Sequence, residues 1–358
     1  MAITTTHHET DSRALEVERA TPFDAVTTVQ ESLPGGQAGG LLLAVERFSL
    51  AANNLGYILF NDVLRTLDAF PASTPDRARV PVWGIAEVIA SDQPAVTVGM
   101  RVAGFLPMAT HAAVRATPTE VGLLSIDEPR VGMLPIYRRL SPVAHDSRSA
   151  DADVETVLLA VYPFAALLAA DIVAMGARTV VVSSASSRSA AGLGRLLSRA
   201  GVGVIGLTSD KHRAAAESFA LYDRVHGYGE VDRIERCAGT VYVDVAGSAQ
   251  VTEAVHHHLG LHLAGSIGVG GTHARALPST PGPPLAMFNT GDREVDVARE
   301  RGWQAVQSLY DDARADLIPW ASRWLQVETA WGLGATQPVW RDIVAGRPDP
   351  LSAVVIRP

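Results

Sequence analysis

Residues 179–210 read TVVVSSASSRSAAGLGRLLSRAGVGVIGLTSD, and this stretch decides the fold. Val180, Val181 and Val182 have the branching of a buried parallel strand. Leu193, Leu196, Leu197 and Ala200 recur at helical spacing before Gly201 ends the helix. Val202 to Leu207 is the next apolar run, so the spacing predicts a βαβ unit. In such a unit the loop after the first strand faces the helix N-terminus, where unpaired backbone N–H groups and the helix dipole favour a phosphate. The loop, Ser183-Ser184-Ala185-Ser186-Ser187-Arg188-Ser189, lacks the G-x-G-x-x-G spacing and offers hydroxyls and a guanidinium instead. A polar strand-to-helix turn with a serine cap is the plainer reading of the same residues.

Outward from this unit the alternation continues. Val157 to Met175 is apolar on nearly every face and predicts a buried helix ending at Gly176. A helix over Lys211–Leu221, a short strand at Arg224–His226, a strand over Thr240–Asp244, a helix over Ser248–Leu259 and a strand over His262–Ile267 follow. Strands alternating with helices make an open parallel sheet. Toward the N-terminus, Leu41–Phe48, Val80–Ala90 and Val98–Phe105 are short strand-like runs joined by Gly and Pro turns, which suggests a compact barrel-like β domain. Ser141 to Val154 reads as a polar connector. Near the end, a charged helix through Trp303–Leu317 precedes a strand at Leu325–Thr329, a helix over Thr336–Val344 and a strand at Ser352–Ile356, a tail that reads as a return to the β domain. The expected organisation is therefore a β domain over 1–155, with residues 1–12 frayed, a nucleotide-binding domain over 156–300, and a C-terminal segment over 301–358.

With 358 residues the chain exceeds the usual reach of one hydrophobic core, and 47% hydrophobic residues suffice for two. A formal charge of −8 leaves no general basic surface, which argues against a dedicated nucleic-acid binder. Cys237 is the only cysteine, so there is no intrachain disulfide and no cysteine-based zinc triad; a reducing cytoplasm is compatible. The first residues carry no apolar core of signal-peptide length and no later run is long enough to span a membrane, so the expectation is a cytoplasmic protein without a membrane segment. His258 and His262 are four apart, but Gly260 interrupts the helix between them and no carboxylate completes a set, so no metal is expected.

The end of the second strand decides which nucleotide the unit would hold. An NAD site commonly places an acid there for the ribose diol, whereas a 2′-phosphate needs hydroxyls and cations. Here Thr208 and Ser209 are followed by Asp210, Lys211 and His212, and Lys211 is the only lysine of the chain. Asp210 is the contrary residue, read as a helix cap. These residues favour NADP(H), with Ser183, Ser184, Ser186, Ser187 and Arg188 on the pyrophosphate. Gly247, Gly268 and Gly270 lie after predicted strands, where a ribose or nicotinamide could approach closely; turn glycines are the alternative.

Six stretches carry a family resemblance: Ala52-Asn53-Asn54, Pro81-Val82-Trp83-Gly84, Gly104-Phe105-Leu106-Pro107-Met108-Ala109-Thr110-His111, Ser183-Ser184-Ala185-Ser186-Ser187, Gly206-Leu207-Thr208-Ser209 and Tyr222-Asp223-Arg224-Val225. With them the chain resembles the medium-chain dehydrogenase/reductase superfamily on its zinc-independent, quinone-oxidoreductase side, and within it an uncharacterised family of unknown function. Gly56, where Thr is expected, and Arg188-Ser189, where Lys-Thr is expected, depart from the pattern. The resemblance implies an α/β fold, a Rossmann doubly wound parallel sheet plus a GroES-like β-barrel-type catalytic domain, and a homodimer formed through the edge strand near Ala286–Asn289. It implies an NADP(H)-dependent oxidoreductase acting on a small carbonyl, enone or thioester-linked substrate in a cleft between the domains. Tyr57 would polarise and protonate the acceptor, Asn53 or Asn54 would orient it, and His111, Tyr137 and Arg138 are further candidates. The rival readings are a redox-neutral lyase or cyclase on the same fold and a non-catalytic nucleotide-binding protein.

Overall fold

The structure is a computed structural model and describes residues 10–33, 39–143, 150–269 and 281–358. They fall into two compact units, one holding the described residues up to Leu159 together with Gln326–Pro358, the other Ala160–Leu325.

The first unit begins with strands β1 (Thr10–Glu18), β2 (Thr27–Leu33) and β3 (Gly40–Ser49). Thr10 to Ser12, expected to fray, are strand instead, because they pair with Leu33 to Glu31 of β2. Two short helices, α1 (Asn53–Leu59) and α2 (Asn61–Leu64), follow. Then come β4 (Arg77–Ala78), β5 (Pro81–Ser91), β6 (Arg101–Pro107), β7 (His111–Thr119), β8 (Gly122–Ser125), β9 (Arg139–Pro142) and helix α3 (Ala150–Leu158).

The second unit holds α4 (Tyr162–Ala174), β10 (Thr179–Val182), α5 (Arg188–Arg199), β11 (Gly203–Thr208), α6 (Arg213–Ser218), β12 (Arg224–Gly227) and β13 (Thr240–Asp244). It continues with α7 (Ala249–Leu259), β14 (Leu263–Val269), β15 (Leu285–Phe288), α8 (Thr290–Arg301) and α9 (Trp303–Ala321). The chain then returns to the first unit as β16 (Gln326–Trp331), α10 (Thr336–Val344) and β17 (Ser352–Arg357).

In the first unit β3 pairs with both β5 and β7, and the order β3-β5-β6-β9-β8-β7 closes on itself as a six-stranded barrel. Closure removes the free edges that an open sheet would expose. Gly84 and Gly104 are direct partners across β5 and β6. A Cβ on either would stand 2.6 Å from a carbonyl oxygen, of Arg47 and Arg139 respectively, so both positions require glycine. The returning strand β17 adds to β3 through Val355 and Ile356, and β16 lies parallel beside β17. Trp340 of α10 is fully buried in the same core as Leu43, Phe48 and Val82.

The second unit is a six-stranded parallel sheet in the order β12-β11-β10-β13-β14-β15. Numbered within the unit this is 3-2-1-4-5-6, the dinucleotide-binding order, with its switch point between β10 and β13. Val180, Val181 and Val182 are fully buried, as their branching predicts. The boundaries differ from expectation in four places. Ser141–Val154, expected as a polar connector, runs into α3 from Ala150 on, because Ala152 and Val154 are buried in the first unit. The apolar run Val157–Met175 is two helices, because Pro163 sits in the first turn of α4, where its missing N–H costs nothing and where it could not continue a helix from before. Lys211 lies in a 3-10 turn, Asp210–His212, and α6 covers only Arg213–Ser218. The return begins at Gln326 and not at residue 301: Val306, Tyr310, Ala313 and Leu317 form one buried stripe of α9, which packs on α4 and α8 of the nucleotide-type unit.

Candidate functional site

The loop after β10 sits at the carboxyl end of the parallel sheet, beside the switch point, where open α/β sheets bind their ligands. Ser183 is fully buried there and its hydroxyl is occupied three times. It donates to Asp244 Oδ1 at 2.7 Å and accepts the N–H groups of Val245 and Ala246 at 2.9 Å each. The Asp244 carboxylate also takes the Gly247 N–H at 3.0 Å and the Thr252 hydroxyl at 3.1 Å. Ser183, Asp244 and Gly247 thus tie the ends of β10 and β13 together. The Ser183 hydroxyl has no capacity left for a phosphate.

Ser184 is different. Its φ is +55°, a left-handed conformation that non-glycine residues seldom adopt, here at the tight turn from β10 into α5. Its N–H donates to the Tyr228 hydroxyl at 3.2 Å, and Tyr222 donates to Ala185 O at 2.6 Å. Burial raises the phenol pKa values of both tyrosines. Ser186 is buried with its hydroxyl 3.3 Å from that of Thr208 at the end of β11. Ser187 caps α5, accepting the Ala190 N–H at 3.2 Å. Arg188 and Ser189 follow in the same first turn, whose N–H groups find no acceptor within the helix. Arg188 is half-buried, and burial pushes its guanidinium pKa down.

Close packing holds this loop against β11. A Cβ on Gly206 would stand 2.8 Å from the Ala185 Cβ, so the second strand can approach only through glycine. Beyond the strand, Ser209 Oγ lies 3.3 Å from His212 Nδ1, and Lys211 is exposed. Asp210, the contrary acid, is turned to Arg213 at 3.0 Å and is not a side-chain cap. Arg213 also pairs with Glu230, whose carboxyl is held at about 2, first by the Gly227 N–H and then by Arg213. Gly268 meets a packing demand: a Cβ there would stand 2.8 Å from Met287 Sδ. Gly270 lies outside the described residues.

The second cluster is in the barrel unit. Asn53 and Tyr57 are one turn apart on α1, and the Asn53 amide donates to the Tyr57 hydroxyl at 3.1 Å. The Trp83 indole, on β5, donates to the same oxygen at 2.7 Å. Phe105 and Tyr137 stand edge-on to the Tyr57 ring at 5.1 and 6.1 Å. Burial raises the Tyr57 phenol pKa, with the two donated bonds acting against it. Behind the rings Arg130 is 1% exposed and donates to Tyr137 O at 2.6 Å, with its guanidinium 5.0 Å from the Phe70 ring. Burial brings it down to about 10.

The other sequence candidates do not join this cluster. Asn54 is 1% exposed and clamps the backbone, accepting the Ala51 N–H at 2.8 Å and donating to Pro81 O at 2.9 Å. His111 bonds the Thr110 hydroxyl at 3.0 Å, and burial lowers its pKa. Arg138 reaches the carbonyls of Ser125 and Val131. Trp83, Tyr222 and Tyr228 hold candidate residues in place without having been given a role from the sequence, while Asp244, which the sequence does place at the carboxyl end of its strand, proves to be the partner of Ser183. Tyr228 could have been sought at the carboxyl end of its strand, while nothing in the spacing joins Trp83 to Tyr57. Among the described residues no three His, Cys, Asp or Glu side chains gather as a metal-binding group, and no single helix is long and apolar enough to cross a membrane.

Solved structures share this architecture over the whole chain. CurA from Vibrio vulnificus, in complex with NADPH, is 16% identical with a TM-score of 0.61, covering 96% of this chain and 98% of its own. The yhdH oxidoreductase from Salmonella enterica, in complex with NADP, is 16% identical with a TM-score of 0.57, covering 97% and 99%. A mutant of Etr1p in complex with NADP and crotonyl-CoA is 12% identical with a TM-score of 0.61, covering 98% and 100%. At these identities the likeness is one of fold, and the α/β architecture is the expected one, a doubly wound sheet plus a barrel unit. No curated protein matches the sequence. A family model described as "Protein of unknown function (DUF2855)" matches residues 48–349.

Proposed function

The chain belongs to this family of unknown function, and we propose that it is an NADP(H)-dependent, zinc-independent oxidoreductase acting on a small carbonyl, enone or thioester-linked substrate. The observation that carries the nucleotide half is the left-handed Ser184 at the turn into α5, at the switch point of a 3-2-1-4-5-6 parallel sheet. The residues fit a pyrophosphate: first-turn N–H groups of α5 with Arg188 beside them. Thr208 and Ser209 with the exposed Lys211, next to an acid already paired with Arg213, suit a 2′-phosphate better than a ribose diol. The solved structures of this fold that hold NADPH or NADP support the same cofactor, and the one holding crotonyl-CoA supports a conjugated thioester among the substrates.

Bound there, the reduced nicotinamide would supply a hydride. The Tyr57 phenol supplies the proton and polarises the acceptor oxygen, with Asn53 orienting it; Asn54 and His111 serve the scaffold around them. We further read the protein as a cytoplasmic homodimer, the single cysteine fitting a reducing compartment. Strand β15 is the sheet edge, and Ala286 and Met287 are exposed on it.

Titration with NADPH and NADH, followed by quenching of tryptophan fluorescence, tests the cofactor. Lys211→Glu is expected to weaken NADPH binding about tenfold while leaving NADH within about twofold, as befits one phosphate contact replaced by a repulsion. Equal effects on both nucleotides would remove the 2′-phosphate assignment, and no binding by the wild type would remove the nucleotide reading.

A further inference from the structure

Both side chains that hydrogen-bond the Tyr57 hydroxyl do so as donors. An indole has one N–H and accepts nothing, so Trp83 can only give a hydrogen bond to the phenol oxygen, and it does so at 2.7 Å. The Asn53 amide gives a second at 3.1 Å. Among the described residues, no acceptor takes the Tyr57 O–H in return. Two donors on one phenol oxygen leave only one direction for its hydrogen, away from both. Phe105 packs edge-on to the Tyr57 ring at 5.1 Å, and Trp83 packs against Phe105 at 5.5 Å, so the three rings form one cluster around the phenol.

We infer that Trp83 is a positioning residue for the reaction, aiming the Tyr57 O–H at the acceptor oxygen and stabilising the phenolate that proton donation leaves. The inference rests on the proposed reductase reading. In the step, the Tyr57 O–H bond breaks and an O–H bond forms on the substrate oxygen as the substrate carbon is reduced by a hydride, which a bound reduced nicotinamide would supply. The electron pair stays on Tyr57 Oη, held by the Trp83 N–H and the Asn53 amide, until water returns a proton. A donor aimed at the atom where charge develops strengthens as the charge appears, so the effect falls on kcat and not on KM.

The test has a part that needs no substrate. In protein labelled with nitrogen-15 tryptophan, the Trp83 indole signal is the one lost in Trp83→Phe. It is expected to move upfield in Tyr57→Phe while the other five tryptophan signals stay in place. An unmoved Trp83 signal would overturn the inference. The second part mixes NADPH-loaded protein with menadione as a carbonyl probe and follows a single turnover. Trp83→Phe is expected to slow proton-coupled turnover about tenfold at unchanged probe affinity, the loss of one hydrogen bond to a charged group, and to do nothing further in a Tyr57→Phe background. Losses that simply add would show that Trp83 acts through packing and overturn the inference. Full turnover in Tyr57→Phe alone would instead overturn the reading of Tyr57 as proton donor, and a wild type that binds NADPH but leaves menadione unreduced would count against the reductase reading, with the indole signal still reporting the bond.

Discussion

The serine loop after β10 and the aromatic cluster around Tyr57 arrange their polar atoms in opposite ways. In the loop, the side chains face inward: Ser183 to Asp244, Ser186 to Thr208, Ser187 to its own helix. Outside these side-chain pairings lie the main chain of the first turn of α5 and the exposed Lys211 beyond β11. In the cluster, two side-chain donors, the Asn53 amide and the Trp83 indole, converge on one buried phenol oxygen. The comparison teaches that a run of hydroxyls signals binding less reliably than it signals a scaffold.

The sharpest way to break the comparison is Ser183→Ala. If the hydroxyl is a scaffold piece, its loss removes three hydrogen bonds and leaves Asp244 and two N–H groups under-satisfied, at about 3 kcal/mol of folding stability. Urea denaturation measures this; a variant of normal stability that binds NADPH poorly would return Ser183 to the phosphate site. Next in size is Ser184, because its φ of +55° strains any side chain and a β-branched one most. Ser184→Val is expected to cost about 1–3 kcal/mol and to weaken nucleotide binding, whereas Ser184→Gly should gain a few tenths of a kcal/mol or hold level. Paired denaturation curves decide, and a harmless Ser184→Val would mean that the turn is not held left-handed.

The smallest effect concerns pH. The Glu230 carboxyl is held at about 2, below its ordinary 4.5, by the Gly227 N–H and Arg213. A carboxyl depressed on folding adds stability that is fully present above its unfolded value and is lost as pH falls from about 4.5 toward about 2. Glu230→Gln should therefore lower the denaturation midpoint at neutral pH and converge on the wild type in acid. Because Glu230 links the turn before it to Arg213, and Arg213 to Asp210, the same variant should loosen Asp210 beside Lys211. A constant gap between the two curves down to the acid end would show that the pairing is not electrostatic.

Much of the fold was legible because each signal was local. The valines of β10, the apolar spacing of α5 and the glycine after it predicted that unit, and β13, α7 and α10 begin and end where their patterns do, within a residue or so. The misses were local conflicts decided at longer range. Pro163 split a run whose hydropathy is continuous, and α9, charged on its surface, stayed with the nucleotide-type unit because of its buried stripe. The candidate site was less legible. Residue type picked out Tyr57 and Lys211, but it could not tell Asn53, which reaches the phenol, from Asn54, which holds the backbone.

By itself the sequence determined the strand and helix periods, the polar loop at the switch point and the lone lysine beyond the second strand, since each depends on residues a few positions apart. Only the tertiary structure decided the partners. Ser183 is claimed by Asp244, 61 residues on, and Tyr57 receives the indole of Trp83, 26 residues on. The reason is physical: periodicity follows from backbone geometry that every residue shares, whereas the identity of a hydrogen-bond partner follows from strand register and helix packing, which only the folded chain sets.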